Sequence, residues 1–179
     1  MASSGDDRVR SYLLAQANKL AIPALVAKVR EDTAPLRAVG AAVPASRFRE
    51  RPAPGEWSAA EVFTHIVQVN ESGCRAIEGI LDHGAVPAPI ADTISGETRA
   101  DLAAAEDYWQ AYQARRERLL ERVLHASGDE HLDVKITHRQ FGPLSWREWL
   151  LFMRVHDLDH MRQLQSITRH FTEQEPATP

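Results

Sequence analysis

Hydrophobic residues recur every three to four positions along most of this chain, which is the spacing of one face of an α-helix. Pro23 either opens a helix in its first turn or kinks one, and Pro35 is a second interruption. Long amphipathic helices joined by short or Pro-rich links are typical of an all-α helix bundle. Helices are predicted over the segments that share this period, which are residues 7–20, 23–40, 58–82, 97–126 and 145–170.

Two of these helices begin with a capping box. Ser58 stands three residues before Glu61, and Ser145 stands three residues before Glu148. In this arrangement the serine side chain accepts from the glutamate N–H, and the glutamate side chain accepts from the serine N–H. The capping role accounts for Glu61, so we do not assign that residue to a functional site.

The segments between the helices are of two kinds. Residues 41–57 form an irregular connector, because they contain three prolines and Gly55 before Trp57. Val134 to Thr137 has the character of a brief strand, which predicts a small β-ribbon before the last helix. The polar residues 172–179 are predicted to form a frayed tail.

Composition and charge exclude several classes of protein. The chain is 44% hydrophobic and 26% charged with a net charge of −4, which is ordinary for a globular protein and offers no basic surplus for nucleic acid. No segment approaches the run of about 18 apolar residues that spans a membrane. A single cysteine, Cys74, excludes an internal disulfide and a Cys-rich zinc site. With no secretory signal at the start, we expect one cytoplasmic domain over residues 1–179, without nucleic-acid or membrane partners.

Two histidines occupy the apolar stripe of the last predicted helix. His156 and His160 lie four residues apart, one above the other on a helix face, where both imidazoles reach one metal ion. Burying two imidazoles is costly unless each ring nitrogen has a partner, and a metal ion satisfies one nitrogen of each ring. Such a pair also arises by chance, so two hydrogen-bonded core histidines are the alternative. The remainder of the stripe is apolar, at Trp149, Met153, Leu164 and Ile167.

A third histidine, His65, interrupts the apolar stripe of the helix that begins after Ser58. It lies about two turns into that helix, and the His156/His160 pair lies about three turns into its own, so the levels can meet in a bundle. Three neutral imidazoles favour Zn²⁺, Ni²⁺, Fe²⁺ or Cu²⁺ over Ca²⁺ or Mg²⁺. Three protein ligands leave one position open, as in catalytic sites. The alternative for His65 is a helix histidine with a polar partner.

Polar neighbours of the histidine pair are candidates for a supporting role. Asp157 and Asp159 lie on either side of the pair around the helix, where each can orient an imidazole through its free N–H. We expect both carboxylates to be partly solvated. Gln163 lies on the same face beyond His160, where it either touches a bound ligand or covers the core.

The remaining reactive residues are assigned to surface or core. Cys74 lies on an apolar helix face and is interpreted as a small packed hydrophobe rather than a nucleophile. The charge run from Arg115 to Arg118 is expected to be mostly solvated. Surface positions are expected for the other histidines, which are His83, His125, His131, His138 and His170.

Together these residues resemble the DinB-like family, which includes YfiT-type metal-dependent hydrolases and bacillithiol- or mycothiol-dependent S-transferases. The resemblance covers roughly residues 20–170 and implies a four-helix up-down-down-up bundle. The segment before residue 20 lies outside the resemblance and is interpreted as a helical extension or a lengthened first helix. The resemblance further implies a divalent metal, Zn²⁺ or Ni²⁺, on three histidines, and a homodimer. The matching residues are Arg51 through Ser58, His65, Phe141 through Ser145, His156, His160 and Gln163.

Three kinds of function are compatible with this pattern. The first is a metal-dependent enzyme acting on a small molecule, and the resemblance favours transfer of a low-molecular-weight thiol over hydrolysis. Hydrolysis would need a general base, and only Asp157, Asp159 or a free histidine is in view. The second is a non-catalytic carrier of a small molecule or metal. The third is a bundle in which a metal only holds the helices together.

Overall fold

The computed structural model describes residues 4–85 and 98–173 of the chain. The predicted all-α bundle is confirmed, with a single short ribbon in the described residues. A turn of 3₁₀-helix lies in the connector at Ala45–Arg47. The elements in chain order are α1 (Ser4–Lys19), α2 (Ile22–Thr33), α3 (Leu36–Ala41), α4 (Ala59–His83), α5 (Ala105–Leu124), β1 (Ile136–His138), β2 (Gly142–Leu144) and α6 (Trp146–Glu173).

Both predicted capping boxes are present. The Ser58 N–H donates to Glu61 Oε2 at 2.8 Å, and the Glu61 N–H donates to Ser58 Oγ at 3.2 Å. Before α6, the Ser145 N–H likewise donates to Glu148 Oε2 at 2.7 Å. Helix α4 ends at Gly84, whose φ of +59° is the left-handed conformation that closes helices and favours glycine. These caps set where the two histidine-bearing helices begin.

The helix predicted over 97–126 is shorter than expected. Helix α5 begins at Ala105, because the Asp107 carboxylate accepts from the backbone N–H groups of Ala103 and Ala104 and caps the helix there. Residue 97 lies outside the described residues. The predicted 23–40 helix is divided at Pro35 into α2 and α3, with Pro23 in the first turn of α2.

The ribbon and the chain end also differ from the expected bounds. Strand β1 pairs antiparallel with β2, with Ile136 opposite Leu144, so the strand starts two residues later than predicted. Helix α6 continues to Glu173, and the Thr172 hydroxyl donates to the carbonyl of Thr168 at 3.0 Å. The prediction of a frayed tail is therefore wrong for residues 172 and 173. Residues 174–179 lie outside the described residues.

Contacts at both ends of α4 and α5 show that these two helices run parallel. Thr64 Oγ1 donates to Tyr108 Oη at 3.2 Å near their starts, and Arg122 Nε donates to Asp82 Oδ1 at 2.7 Å near their ends. Parallel neighbours follow from the long crossover between α4 and α5. This pairing is the central part of the up-down-down-up order.

The outer helices of the bundle run the opposite way. Arg30 on α2 pairs with Glu117 on α5. Arg37 on the following helix, α3, pairs with Glu106, which lies nearer the start of α5. The segment formed by α2 and α3 is therefore antiparallel to α5. Helix α6 is antiparallel to α4, because Gly73 lies against Met153 and the earlier His65 lies against His156. The predicted up-down-down-up bundle is thereby confirmed.

The helical extension α1 packs along α6. Arg154 Nη1 donates to Tyr12 Oη at 3.1 Å, and Arg154 Nε donates to Asp32 Oδ2 at 2.5 Å, so one α6 side chain holds both α1 and α2. The buried core forms two clusters along the bundle. One contains Leu13, Leu25 and Leu150, and the other contains residues that flank the histidines, among them Ile66 and Leu164. Among the described helices, none combines the length and apolar character of a membrane span.

Candidate metal centre

The three predicted histidines meet at the interface between α4 and α6. Each imidazole of His65, His156 and His160 offers a ring nitrogen, and these nitrogens all lie within 4.8 Å of one another. The Nε2 atoms of His65 and His156 are 2.9 Å apart. In the part of the chain that the structure describes, this cluster holds those three side chains, with no carboxylate or cysteine as a fourth member.

Two of the imidazoles have a polar partner behind them. His160 Nδ1 lies 2.9 Å from Gln163 Oε1, an acceptor, so the proton of His160 resides on Nδ1. His156 Nδ1 faces Asp157 Oδ1 at the longer distance of 3.5 Å. With its proton on Nδ1, His160 presents the lone pair of Nε2. A partner on the far nitrogen is the usual companion of a metal-ligating histidine.

Burial keeps two of the three imidazoles, those of His65 and His160, uncharged. The His65 side chain is 6% exposed, and this burial, with the neighbouring His156 and His160, lowers the pKa of His65 to about 3. Burial also lowers the pKa of His160, with His156 as a further cause. Transition metals bind the neutral imidazole. At neutral pH His65 and His160 are therefore in the form that a divalent ion requires.

The indole of Trp57 covers the cluster from the connector. It stacks on His160, with ring centroids 6.1 Å apart and planes 12° from parallel, and it meets His65 edge-on at 5.5 Å. Phe152 lies against His156 at 5.9 Å. Aromatic surface on these sides limits the access of water and fixes the imidazole rings. The sequence predicts Trp57 as part of the connector. Its position directly before the Ser58 cap is the signal that it lies at the start of the helix that carries His65.

A cavity of about 620 Å³ opens beside His160. Its wall is mixed, with carboxylate, amide, hydroxyl and imidazole groups as well as apolar surface. A pocket of this size is large enough for a small-molecule ligand. The lining residues are Pro52, Gly55, Glu56, Trp57, His160, Gln163, Ser166, Ile167 and His170.

Asp157 is not solvated as expected. It is 1% exposed, and its Oδ2 atom accepts from Tyr112 Oη at 2.7 Å and from Arg116 Nη2 at 3.0 Å. Burial by itself would raise the pKa of Asp157, but the adjacent Arg116 and the bonds from His156 and Tyr112 outweigh it and lower this pKa. Asp157 is therefore a buried carboxylate anion directly behind His156.

Arg116 is a second correction. It belongs to a charge run that was expected to be mostly solvated, yet its side chain is 2% exposed. The signal for its burial was present in the sequence, because it lies four residues after Tyr112 and three before Leu119, on the apolar face of α5. Asp159 does face solvent, where it lies 3.6 Å from Arg162. Asp159 therefore does not reach the imidazoles.

His138 is also buried, at 7% exposure, so its assignment to the surface is wrong. Its Nδ1 atom accepts from the backbone N–H groups of Gln140 and Phe141, and its ring stacks on Phe141. It thus holds the turn of the ribbon. Cys74 is buried as expected, and burial raises the pKa of its thiol to about 11, which makes it a poor nucleophile.

The donor set fits a divalent transition ion. Neutral imidazoles suit Zn²⁺, Ni²⁺, Cu²⁺ and Fe²⁺, and three of them leave coordination positions for water or substrate. Without an ion, the 2.9 Å separation between Nε2 of His65 and Nε2 of His156 requires that one of them donates a proton to the other. The arrangement therefore has two states, one hydrogen-bonded and one able to bind metal.

Comparison with known proteins places the chain in a family. A family model described as the DinB superfamily matches residues 28–164, which include α4, α5, the ribbon and all three histidines. No curated protein and no solved structure matches the chain. The matched segment covers most of the 179 residues. The chain belongs to the DinB superfamily.

Proposed function

We propose that this protein is a metal-dependent enzyme that joins a low-molecular-weight thiol to a small electrophilic substrate. The observation that carries the proposal is the convergence of His65, His156 and His160 beside a cavity of about 620 Å³. These residues would hold one divalent ion, Zn²⁺ or Ni²⁺. Such an ion lowers the pKa of a thiol or a water molecule at its open position, and so supplies a nucleophile near neutral pH.

The polar groups around the site favour a thiol over water as the nucleophile. Asp157 already accepts from Tyr112 and Arg116, so it does not serve as a general base. A thiol that has lost its proton to solvent needs no further base. Its sulfur forms a bond to the electrophilic carbon, and the electron pair displaced there leaves with a departing group or is protonated by solvent.

Hydrolysis is the second candidate, because the cavity wall contains two side chains that can act as a general base. Glu56 and His170 both line the cavity, and either side chain is able to accept a proton from water. His170 is one of the free histidines that the sequence offers as a base, whereas Glu56 is not among the bases predicted from the sequence. Glu56 lies directly before Trp57 in the connector, and Glu56, Trp57 and His160 all line the cavity.

The cavity wall also restricts the substrate class. Gln163, Ser166 and Glu56 provide hydrogen-bonding groups, and Ile167 and Pro52 provide apolar surface. We infer a small amphipathic substrate bound beside His160. A cytoplasmic location is a further proposal. The homodimer that the family resemblance implies is another, and sedimentation of the purified protein tests it.

A direct assay separates the two reactions. The Zn²⁺- or Ni²⁺-loaded protein is incubated with a chromogenic electrophile and, in turn, glutathione, cysteine, bacillithiol or mycothiol, and products are identified by mass spectrometry. The proposal predicts a thioether whose formation requires both the metal and His156, with His156→Ala inactive and Glu56→Gln active. Product formed with water alone and lost in Glu56→Gln would establish hydrolysis instead. Equal rates for wild type and His156→Ala would contradict both.

A further inference from the structure

A buried polar network connects α5 with the back of His156. Asp157 receives hydrogen bonds from Tyr112 Oη at 2.7 Å and from Arg116 Nη2 at 3.0 Å, both on Oδ2. Arg116 Nε donates to Asn70 Oδ1 at 2.7 Å, and Asn70 Nδ2 donates to the Tyr112 carbonyl at 2.9 Å. All four side chains are at most 2% exposed. The network thus joins α4, α5 and α6 behind the metal ligands.

Stability alone does not account for this network. A buried ion pair seldom stabilises a fold more than apolar side chains of the same volume, because both charges lose their hydration. Arg116 Nη1 has no hydrogen-bond partner among the described residues, which adds a further cost. A costly arrangement that persists next to metal ligands suggests a role in the site.

The geometry of Asp157 indicates what that role is. Both donors hold Oδ2, and this orientation leaves Oδ1 facing His156 Nδ1 at 3.5 Å. A buried carboxylate anion beside Nδ1 stabilises the imidazole form that carries its proton there. The lone pair then lies on Nε2, the atom that faces His65. An Asp157 carboxylate rotated away from Nδ1 would lose this preference.

We propose that Arg116 and Tyr112 are positioning residues that act through Asp157 to keep the proton of His156 on Nδ1. They thereby keep Nε2 of His156 free for a metal ion. The metal-affinity part of this inference rests on the proposed function. The part that concerns the proton does not, because it applies to the metal-free protein.

The test uses two variants of the network and one matched control. Arg116→Met keeps the apolar length of the side chain and removes its charge, and Tyr112→Phe removes one hydroxyl. The control is Arg115→Met, since Arg115 lies on the same helix and pairs with Glu78 on α4, away from Asp157. Two quantities are measured: the ring ¹⁵N chemical shifts of His156 by NMR without metal, and the Kd for Zn²⁺ by competition with a chromogenic chelator.

The wild type and Arg115→Met should show His156 protonated on Nδ1. In Arg116→Met we expect the proton to move largely to Nε2 and the Kd for Zn²⁺ to rise about 10- to 100-fold. Tyr112→Phe should give a mixture of the two ring forms and a smaller rise in Kd. A Nδ1 proton in folded Arg116→Met, with a Kd within twofold of the control, would overturn the proposal.

Two further outcomes are decisive. If Arg116→Met does not fold, Tyr112→Phe decides, and an unchanged His156 ring form in that variant would contradict the inference. If the wild type binds no Zn²⁺, the proposed function fails. In that case the His156 ring form in the metal-free variants still supports or overturns the positioning role, so the two failures are distinguishable.

Discussion

The Nε2 atoms of His65 and His156 lie 2.9 Å apart, although the two residues are 91 positions apart in the chain. Two unprotonated nitrogens repel each other at this distance, so a proton or a cation must lie between them. Burial opposes a proton that would charge the pair, as the low pKa of His65 indicates. A divalent ion shared with His160 satisfies all three rings at once.

The stability of the metal-free protein should fall as the pH falls from about 6.5 toward 3. The pKa of His65 is about 3 in the folded state, against 6.5 as its ordinary value, so in this range the unfolded chain binds a proton that the folded chain does not. His65 alone should remove about 1.4 kcal/mol of stability per pH unit within that window. Urea unfolding at several pH values measures the slope.

The controls for this pH dependence are two single variants. His65→Gln should give a shallower decrease of stability with acid, because its side chain does not titrate. His83→Gln removes an exposed imidazole at the end of the same helix and is the comparison for the loss of one histidine. An identical slope for His65→Gln and the wild type would show that His65 is not buried in its neutral form.

Two glycines of α4 should respond to alanine in opposite directions. A Cβ at Gly73 would lie 2.9 Å from Trp149 Nε1 and 2.6 Å from Met153 Sδ, across the interface with α6. Gly73→Ala should therefore cost about 1–3 kcal/mol through overpacking. A Cβ at Gly79 meets nothing within 4 Å, so Gly79→Ala should stabilise by about 0.4–1 kcal/mol. Chemical denaturation of both variants is the measurement, and a stable Gly73→Ala would refute the close α4–α6 packing.

Trp57 should report metal binding by fluorescence. Its indole stacks on His160 at 6.1 Å, so one equivalent of Cu²⁺, which imidazoles bind well, should quench it strongly. Trp57→Phe should lose most of this quenching. Trp109→Phe is the matched control, because Trp109 stacks on Tyr112 instead. If both variants retain the same fractional quenching, Trp57 does not cover the metal site.

The Ser58 cap should contribute to the stability of the helix that carries His65. Ser58→Ala removes the acceptor of the Glu61 N–H at the start of α4, which should cost about 1 kcal/mol. Ser72→Ala makes the same exchange in the interior of α4 and should be neutral or slightly stabilising. Thermal unfolding compares the two variants. Equal melting temperatures would mean that the cap does not anchor the helix that carries His65.

The positions of the three histidines could be predicted because local signals determine them. The Ser58 and Ser145 caps fix where α4 and α6 begin, and the helical period then puts His65 and the pair His156 and His160 on inward faces. The level at which the two helices meet follows from these starting points. Each histidine's position is therefore determined by the sequence of its own helix.

The support behind His156 could not be predicted in the same way. Asp157 is buried because Tyr112 and Arg116, more than forty residues earlier, provide donors from another helix. Helix spacing identifies neighbours on one helix only. It places Arg116 on the apolar face of α5 with Tyr112 and Leu119, but it does not reveal that Asp157 on α6 is the partner of Arg116. His138 is a similar case, since its burial depends on the tight ribbon turn and on Phe141.

Whether His65, His156 and His160 share one divalent ion is tested most directly by the metal content of the purified protein. The protein is first loaded with Zn²⁺ or Ni²⁺, and excess ion is removed. Elemental analysis should give about one ion per chain for the wild type. The control His131→Ala, which changes an exposed histidine outside the cluster, should give the same content. His65→Ala, His156→Ala and His160→Ala should each lose most of the bound metal. Equal metal content in the wild type and these three variants, or no bound metal in the wild type, would show that the three histidines do not bind an ion together.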